Sequence, residues 1–161
     1  EWKVNFDTTW GGPASIIFPQ LLDWSKHPQK GIRYYSGTAV YNKSFVFDPQ
    51  ENQKYFLQLG SVKDIGIAAI KINGKNKGVQ WTSPFRVEIS DELQKGNNTL
   101  EIEVINSWYN RVAGDQTFPN ERQYTSTNIM LNHDFRGRPL EEIPLEPSGL
   151  LGPVTISRAL N

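Results

Sequence analysis

The run Trp108-Tyr109-Asn110-Arg111-Val112-Ala113-Gly114-Asp115, with Trp81 upstream, gathers the residue types that fit one recognisable chemistry. A sugar presents apolar C–H faces and a rim of hydroxyls. Aromatic rings supply the platform, and Asn, Asp and Arg supply directed hydrogen bonds. Trp81, Trp108, Tyr109, Asn110, Arg111 and Asp115 are therefore the candidate carbohydrate-binding residues. Each has a structural alternative. Tryptophan is highly buried on average, and an Arg–Asp pair can lock a loop onto a scaffold through bidentate hydrogen bonds. Trp10, Trp24, Tyr34 and Tyr35 form a second aromatic group, better suited to core and loop packing.

Catalytic chemistry finds less support. Glycoside hydrolysis needs two opposed carboxylates roughly 5–10 Å apart. Glu101 and Glu103 share the wet face of a strand, and Glu141 and Glu142 fall in a polar stretch. Asp7, Asp23 and Asp115 lie next to aromatics, but spacing does not pair them. There is no Gly-x-Ser-x-Gly elbow. His27 and His133 are the only histidines and cysteine is absent, which argues against zinc and rules out disulfides. No catalytic residue, metal ligand or cofactor is assigned. Structural calcium, held by loop Asp and carbonyl oxygens, is the one ion left open.

These residues need a frame, and residues 70–105 give its grammar: strand, turn, strand, helical turn, strand. Asn73-Gly74 is a hairpin signal, because a type I′ turn needs positive φ at both central residues. Phe85, Val87 and Ile89 alternate with Arg86 and Glu88, and Leu100, Ile102 and Val104 alternate with Glu101 and Glu103. Ser90 is placed to cap a turn at 91–93.

Upstream, residues 2–6 alternate as a first strand. Residues 15–23 are apolar but interrupted by Pro19, and read as a loop with a short turn over a sheet edge. Residues 38–47 form a long strand whose alternation slips near Lys43, as at a bulge. Residues 55–59 are another strand. Residues 65–72 are apolar on both parities, as in a strand covered on both faces. From 107 to 147 the sequence turns polar and irregular, as functional loops or mobile segments do. A closing strand follows at 150–157, with Pro153 placing it near an edge.

Seventeen Lys and Arg balance seventeen Asp and Glu, which argues against nucleic-acid or anionic-membrane partners. Hydrophobic residues make up 37% with no long apolar run, so no membrane span is expected. Frequent strands and Gly/Pro turns predict an all-β jelly-roll sandwich of roughly eight strands with long irregular loops.

The marks Asn73, Gly74, Gly78, Pro84, Phe85, Asp91, Leu93, Gly96, Asn98 and Leu100 resemble the galactose-binding-domain-like, sugar-binding jelly roll of glycoside hydrolases such as family 2. Residues 10–13, 23–28, 81–85, 108–115 and 148–154 are most similar to the C-terminal region of family 106 α-L-rhamnosidase-type hydrolases. The resemblance implies one domain over residues 1–161, excised from a larger, secreted or periplasmic bacterial glycoside hydrolase. The chain's start at Glu1-Trp2, without Met, agrees with that expectation. A non-catalytic accessory role follows, with the parent's other domains and a plant or microbial glycan as partners. A stand-alone carbohydrate-binding module and an independent small hydrolase are the alternatives.

Overall fold

The computed structural model describes residues 1–159. In chain order they form β1 (Trp2–Phe6), β2 (Ile16–Phe18), α1 (Lys30–Arg33), β3 (Thr38–Phe47), β4 (Tyr55–Gln58), β5 (Ser61–Lys63), β6 (Ile67–Ile72), β7 (Lys75–Gln80), β8 (Arg86–Glu88), β9 (Gly96–Ile105), α2 (Tyr109–Thr117), β10 (Gly149–Gly152) and β11 (Thr155–Arg158). One layer is a six-stranded antiparallel sheet, ordered β2-β1-β3-β9-β6-β7. The other combines the ladders β11-β4-β8 and β10-β5, joined by a bridge between Gly60 and Gly152. The class is the all-β sandwich that the alternation implies. Its eleven strands exceed the expected eight because several are only three residues long.

The spine is the pairing of β3 with β9, in register from Thr38↔Ile105 to Phe47↔Gly96. Ala39, Tyr41, Ile102, Val104, Ile70 and Ile72 point inward and meet Leu57, Leu59, Val62, Ile89 and Leu150 from the opposite layer in one cluster. Burying such a side chain is worth about 1.5–3 kcal/mol. At its centre the rings of Trp24 and Tyr41 stack at 10° with centroids 6.3 Å apart. Trp24 Nε1 donates to Tyr41 Oη at 2.6 Å, and the Leu150 amide donates to the same oxygen at 3.3 Å. One hydroxyl thus joins both layers and the segment between them.

Polar side chains staple the turns. Asn73 and Gly74 have φ of 50° and 77°, as the hairpin requires. Asn98 is fully buried, and its amide bonds Gln94 O, Gly96 O, Gln94 N and Asn73 Nδ2. This explains physically why the Gly96-x-Asn98 spacing marks the fold: the side chain does the work of a missing strand partner.

Several local expectations are corrected. Residues 16–18 are themselves the edge strand, pairing with Trp2–Val4 before Pro19 ends the ladder. The β3–β9 register shows no shift at Lys43. The alternation falters there because Lys43 takes the inward parity of Ala39, Tyr41, Phe45 and Phe47, its Nζ reaching Glu1 O at 3.0 Å and lying 5.0 Å from the Trp2 ring centre. Register shifts occur instead in the β6–β7 pairing, between Ala69 and Lys71, and in the β10–β5 pairing, between Leu150 and Gly152. β6 is fully covered on one face only: Ala68, Ile70 and Ile72 are buried, whereas Ile67 and Ala69 are partly covered and Lys71 reaches solvent; Ile65, just before the strand, is exposed. Ser90 does not cap. It sits inside the 3-10 turn Ser90–Glu92, and its Oγ accepts the Tyr55 amide at 2.9 Å. The closing strand is split at Pro153 into β10 and β11.

Tyr41→Phe keeps the ring but leaves the Trp24 indole N–H and the Leu150 amide without their acceptor. Urea denaturation should show a loss of about 1–3 kcal/mol. A change near zero would mean that this hydroxyl does not hold the layers.

Candidate functional site

The region 107–147 is not irregular throughout, because residues 109–117 form α2. The helix starts where Asp64 accepts the Ser107 amide at 2.7 Å and also bonds Ser107 Oγ, which in turn accepts the Tyr109 amide at 3.2 Å. Its buried positions are Asn110, Arg111, Val112, Ala113, Gly114 and Asp115. Half of that face is polar, so each group must find a partner inside the protein.

Asn110 Nδ2 donates to Glu146 O at 2.8 Å and to Ser148 Oγ at 3.3 Å, and its Oδ1 accepts the Glu146 amide at 2.9 Å. Asp115 Oδ1 accepts Arg111 Nε at 3.1 Å. Asp115 Oδ2 accepts the amides of Tyr124 and Thr125 and the Thr125 hydroxyl, at 2.9, 2.7 and 2.7 Å. These bonds tie both ends of a long strap, residues 118–148, to one helix. Asp23 reinforces the far end, its Oδ1 accepting the Ser148 amide at 3.0 Å. Burial and the Glu146 carboxylate push the Tyr109 hydroxyl above its ordinary pKa.

Between its ties the strap makes its own local structure. Gln116 donates to Ile129 O and accepts the Leu131 amide. Asp134 then organises a tight turn, accepting the Arg136 and Arg138 amides at 2.8 and 3.0 Å and Arg138 Nε at 2.8 Å. At the tip Phe135 is 91% exposed, with Ile129 and Met130 also open to solvent.

A cavity of about 170 Å³ opens where the strap crosses α1 and α2. Arg111 and Asp115 form part of its wall, with Lys30, Tyr34, Phe118, Glu121, Arg122 and Tyr124 around them. Lys30 Nζ bonds Glu121 at 2.7 Å and lies 3.5 Å from the centre of the Phe118 ring. Two glycines make the space. A Cβ at Gly114 would lie 2.6 Å from Arg111 Nη2 and 2.8 Å from Tyr34 Cβ, and one at Gly11 would lie 2.6 Å from Tyr124 Oη.

The six sequence-derived candidates divide into separate groups. Asn110, Arg111 and Asp115 are buried on α2, with Asn110 and Asp115 engaged by the strap. Trp108 is 44% exposed and meets the edge of Trp10, ring centroids 4.7 Å apart. Tyr109 is half-buried beside it. Trp81 is 72% exposed just past β7. Register puts Gln80 level with Ala68 and Val104, so the chain leaves β7 and β9 at the same end of the sheet, two strand spacings or about 10 Å apart. Trp81 and Trp108 thus share a sheet end but not a cavity. Sequence reasoning missed Lys30, Tyr34, Phe118, Arg122 and Tyr124 as cavity residues. The available signal was Gly114, since glycine within a helix costs about 1 kcal/mol and calls for a packing reason.

Among the described residues no group of three or more His, Cys, Asp or Glu could hold a metal ion. No described helix is long and apolar enough to cross a membrane.

The fold and these latches define a small antiparallel β-sandwich carrying a helix-tied strap, and the same arrangement occurs inside much larger proteins. A rhamnosidase structure from Novosphingobium sp. PP1Y matches 98% of this chain with TM-score 0.85 and 36% identity, yet the match is 14% of that chain. A Formosa agariphila protein with a provisional beta-glucuronidase name is 34% identical over 97% of this chain and 15% of its own length. Beta-glucuronidase structures from Ruminococcus gnavus and Dictyoglomus thermophilum share the fold over 65% of this chain, at TM-scores 0.53 and 0.54 and identities of 21% and 24%. They cover 20% and 18% of those chains. No family model matches. The chain is similar to one domain-sized segment of these glycoside hydrolases.

Asp115→Asn removes one partner of a buried ion pair and weakens the bonds to Tyr124 and Thr125. We expect a loss of about 3–5 kcal/mol, with protease cleavage between residues 119 and 131 appearing before global unfolding. Equal protection of the strap in the variant would show that Asp115 is not its tether. The Asp134 turn has a pH signature. Its bonds to the backbone and side chain of Arg138 hold the carboxyl below its ordinary 3.8. The turn is therefore stabilised above that value and loses these bonds as pH falls through the depressed pKa. The Arg136 and Arg138 amide resonances should titrate with a midpoint below 3.8; a midpoint at or above it contradicts the geometry.

Proposed function

We propose that this chain is an accessory domain of a larger bacterial glycoside hydrolase, secreted or periplasmic, in which the glycosidic bond is cleaved by another domain. The observation that carries the reading is the match over 98% of this chain to only 14% of a rhamnosidase. In this reading the strap docks on a neighbouring domain of the parent. The exposed apolar residues support that: Gln116 fixes the backbone around Ile129 and Met130 and the Asp134 turn carries Phe135, yet all three side chains stay in solvent. A presented apolar cluster beside a polar stalk is typical of an interaction surface.

A second reading, a carbohydrate-binding module, is favoured by one observation: Trp81 offers an open ring at the sheet end. The two readings separate by experiment. In the full-length parent, Phe135→Asp with Met130→Glu should lower the melting temperature of the catalytic domain by a few degrees and expose the strap to protease. An unchanged melting profile would remove the docking role. The chain alone should not hydrolyse aryl rhamnosides or glucuronides, and turnover by it would end the accessory reading. Binding of a neutral oligosaccharide that Trp81→Ala abolishes, with folding intact, would favour the module instead.

A further inference from the structure

Arg111 is 7% exposed, yet it is only partly used. A guanidinium carries five N–H donors. Asp115 takes the bond from Nε, and neither Nη donates to a described residue. Neither Nη is sealed away from solvent either, since among the described residues the one buried side-chain polar atom lacking a hydrogen bond is on Glu92. Arg111 belongs to the wall of the 170 Å³ cavity. This is a buried cationic fork opening into a cavity, with its donors unspent.

The surrounding charges point the same way. Asp115 shares its charge among Arg111 and three donors of residues 124 and 125. Glu121 is paired with Lys30. Arg122 has no acidic partner among the described residues, although its guanidinium carbon lies 4.8 Å from the Tyr124 ring centre. The Arg111 guanidinium carbon approaches the same ring at 4.6 Å. Two guanidinium groups therefore converge on one aromatic ring, and the three cations outnumber the two carboxylates facing the cavity. Such an arrangement lacks an anion.

We propose that this cavity binds a carboxylate carried on a single sugar ring, a uronic acid residue. The Arg111 Nη fork receives the carboxylate, Arg122 adds charge, and Tyr34, Phe118 and Tyr124 form the apolar walls. A planar guanidinium matches a carboxylate through two parallel hydrogen bonds. The size selects the ligand, because the cavity is smaller than the ~300–1,000 Å³ of sites for larger molecules. One ring or one chain end fits and an extended oligosaccharide does not. The anion site stands on the Arg111 geometry alone, whereas the choice of a sugar acid rests on the glycoside hydrolase reading above.

The test is calorimetric titration of the full chain at low ionic strength with sodium D-glucuronate, sodium acetate and D-glucose. Glucuronate should bind with Kd on the order of 1 mM, at least tenfold tighter than acetate or glucose. Raising salt to about 0.15 M should weaken it. Arg111→Lys keeps the charge but loses the fork and should weaken binding about tenfold. Arg122→Gln, on the exposed rim, should weaken it about fivefold without disturbing the fold. No glucuronate binding up to about 20 mM, or full affinity in both variants, overturns the site. Acetate binding as tightly as glucuronate overturns the sugar assignment. Either failure leaves the accessory-domain reading intact, because that reading is tested at Phe135.

Discussion

A helix that buries polar side chains cannot sit against a core until each of them is satisfied, and that constraint shapes everything outside the two sheets. On α2 the buried face carries Asn110, Arg111 and Asp115. An unpaired carboxylate or amide there would cost several kcal/mol. The strap supplies the missing donors and acceptors from residues 124, 125 and 146. Its course is therefore dictated by hydrogen-bond demand rather than by apolar burial, and Ile143 is the main hydrophobic anchor along its later half. The cavity is a by-product of the same demand. Once Asp115 has drawn Tyr124 over Arg111, the remaining face of the guanidinium has nowhere to point but into the gap between strap and helices.

The sandwich beneath depends on a different economy of contacts. Its aromatic centre of Phe6, Phe18, Trp24, Tyr35 and Tyr41 packs mostly edge to face. The two hydroxyls within it each bond backbone: Tyr41 accepts from Leu150, and Tyr35 donates to Thr38 O while accepting from Asp7. Burial pushes the Tyr35 hydroxyl up to about 12. Buried amides do similar work at the margins. Asn106 bridges Gly37 and Tyr35, and Asn98 closes the turn before β9. The layers thus form a rigid base from which the strap tip and the open Trp81 ring project.

Legibility in the sequence followed the range of the interactions. The hairpin at Asn73-Gly74 and the alternation of β8 and β9 depend on near neighbours, and both were readable. The supposed bulge at Lys43 was not real, because a long side chain can occupy an inward position and carry its charged end to the rim, at Glu1 O and the Trp2 ring, without any change of register. Residues 65–72 looked two-sided because Ile65, Ile67 and Ala69 are apolar yet only partly covered. Helix α2 was missed because its buried face is polar, so no 3.6-residue apolar period announces it. Asn110, Arg111 and Asp115 stood out by residue type. Their partners did not, since the acceptor for Asn110 lies 36 residues away. The alternative of a loop lock for Arg111 and Asp115 describes the geometry of Asp115 well, and Arg111 has donors left over.

Because the strap is fastened at Leu131 and again near Ile143 and Glu146, the turn between those points is mechanically isolated from the sheets. Closing a loop costs only about 0.6 kcal/mol more for each doubling of its length. Residues 132–142 can therefore be lengthened, shortened or replaced while the sandwich folds as before. Evolution could refit this stretch to differently shaped neighbours at little thermodynamic risk, and an engineer could graft a recognition peptide there by the same logic. The scaffold and the fitting it carries are separable parts of one chain.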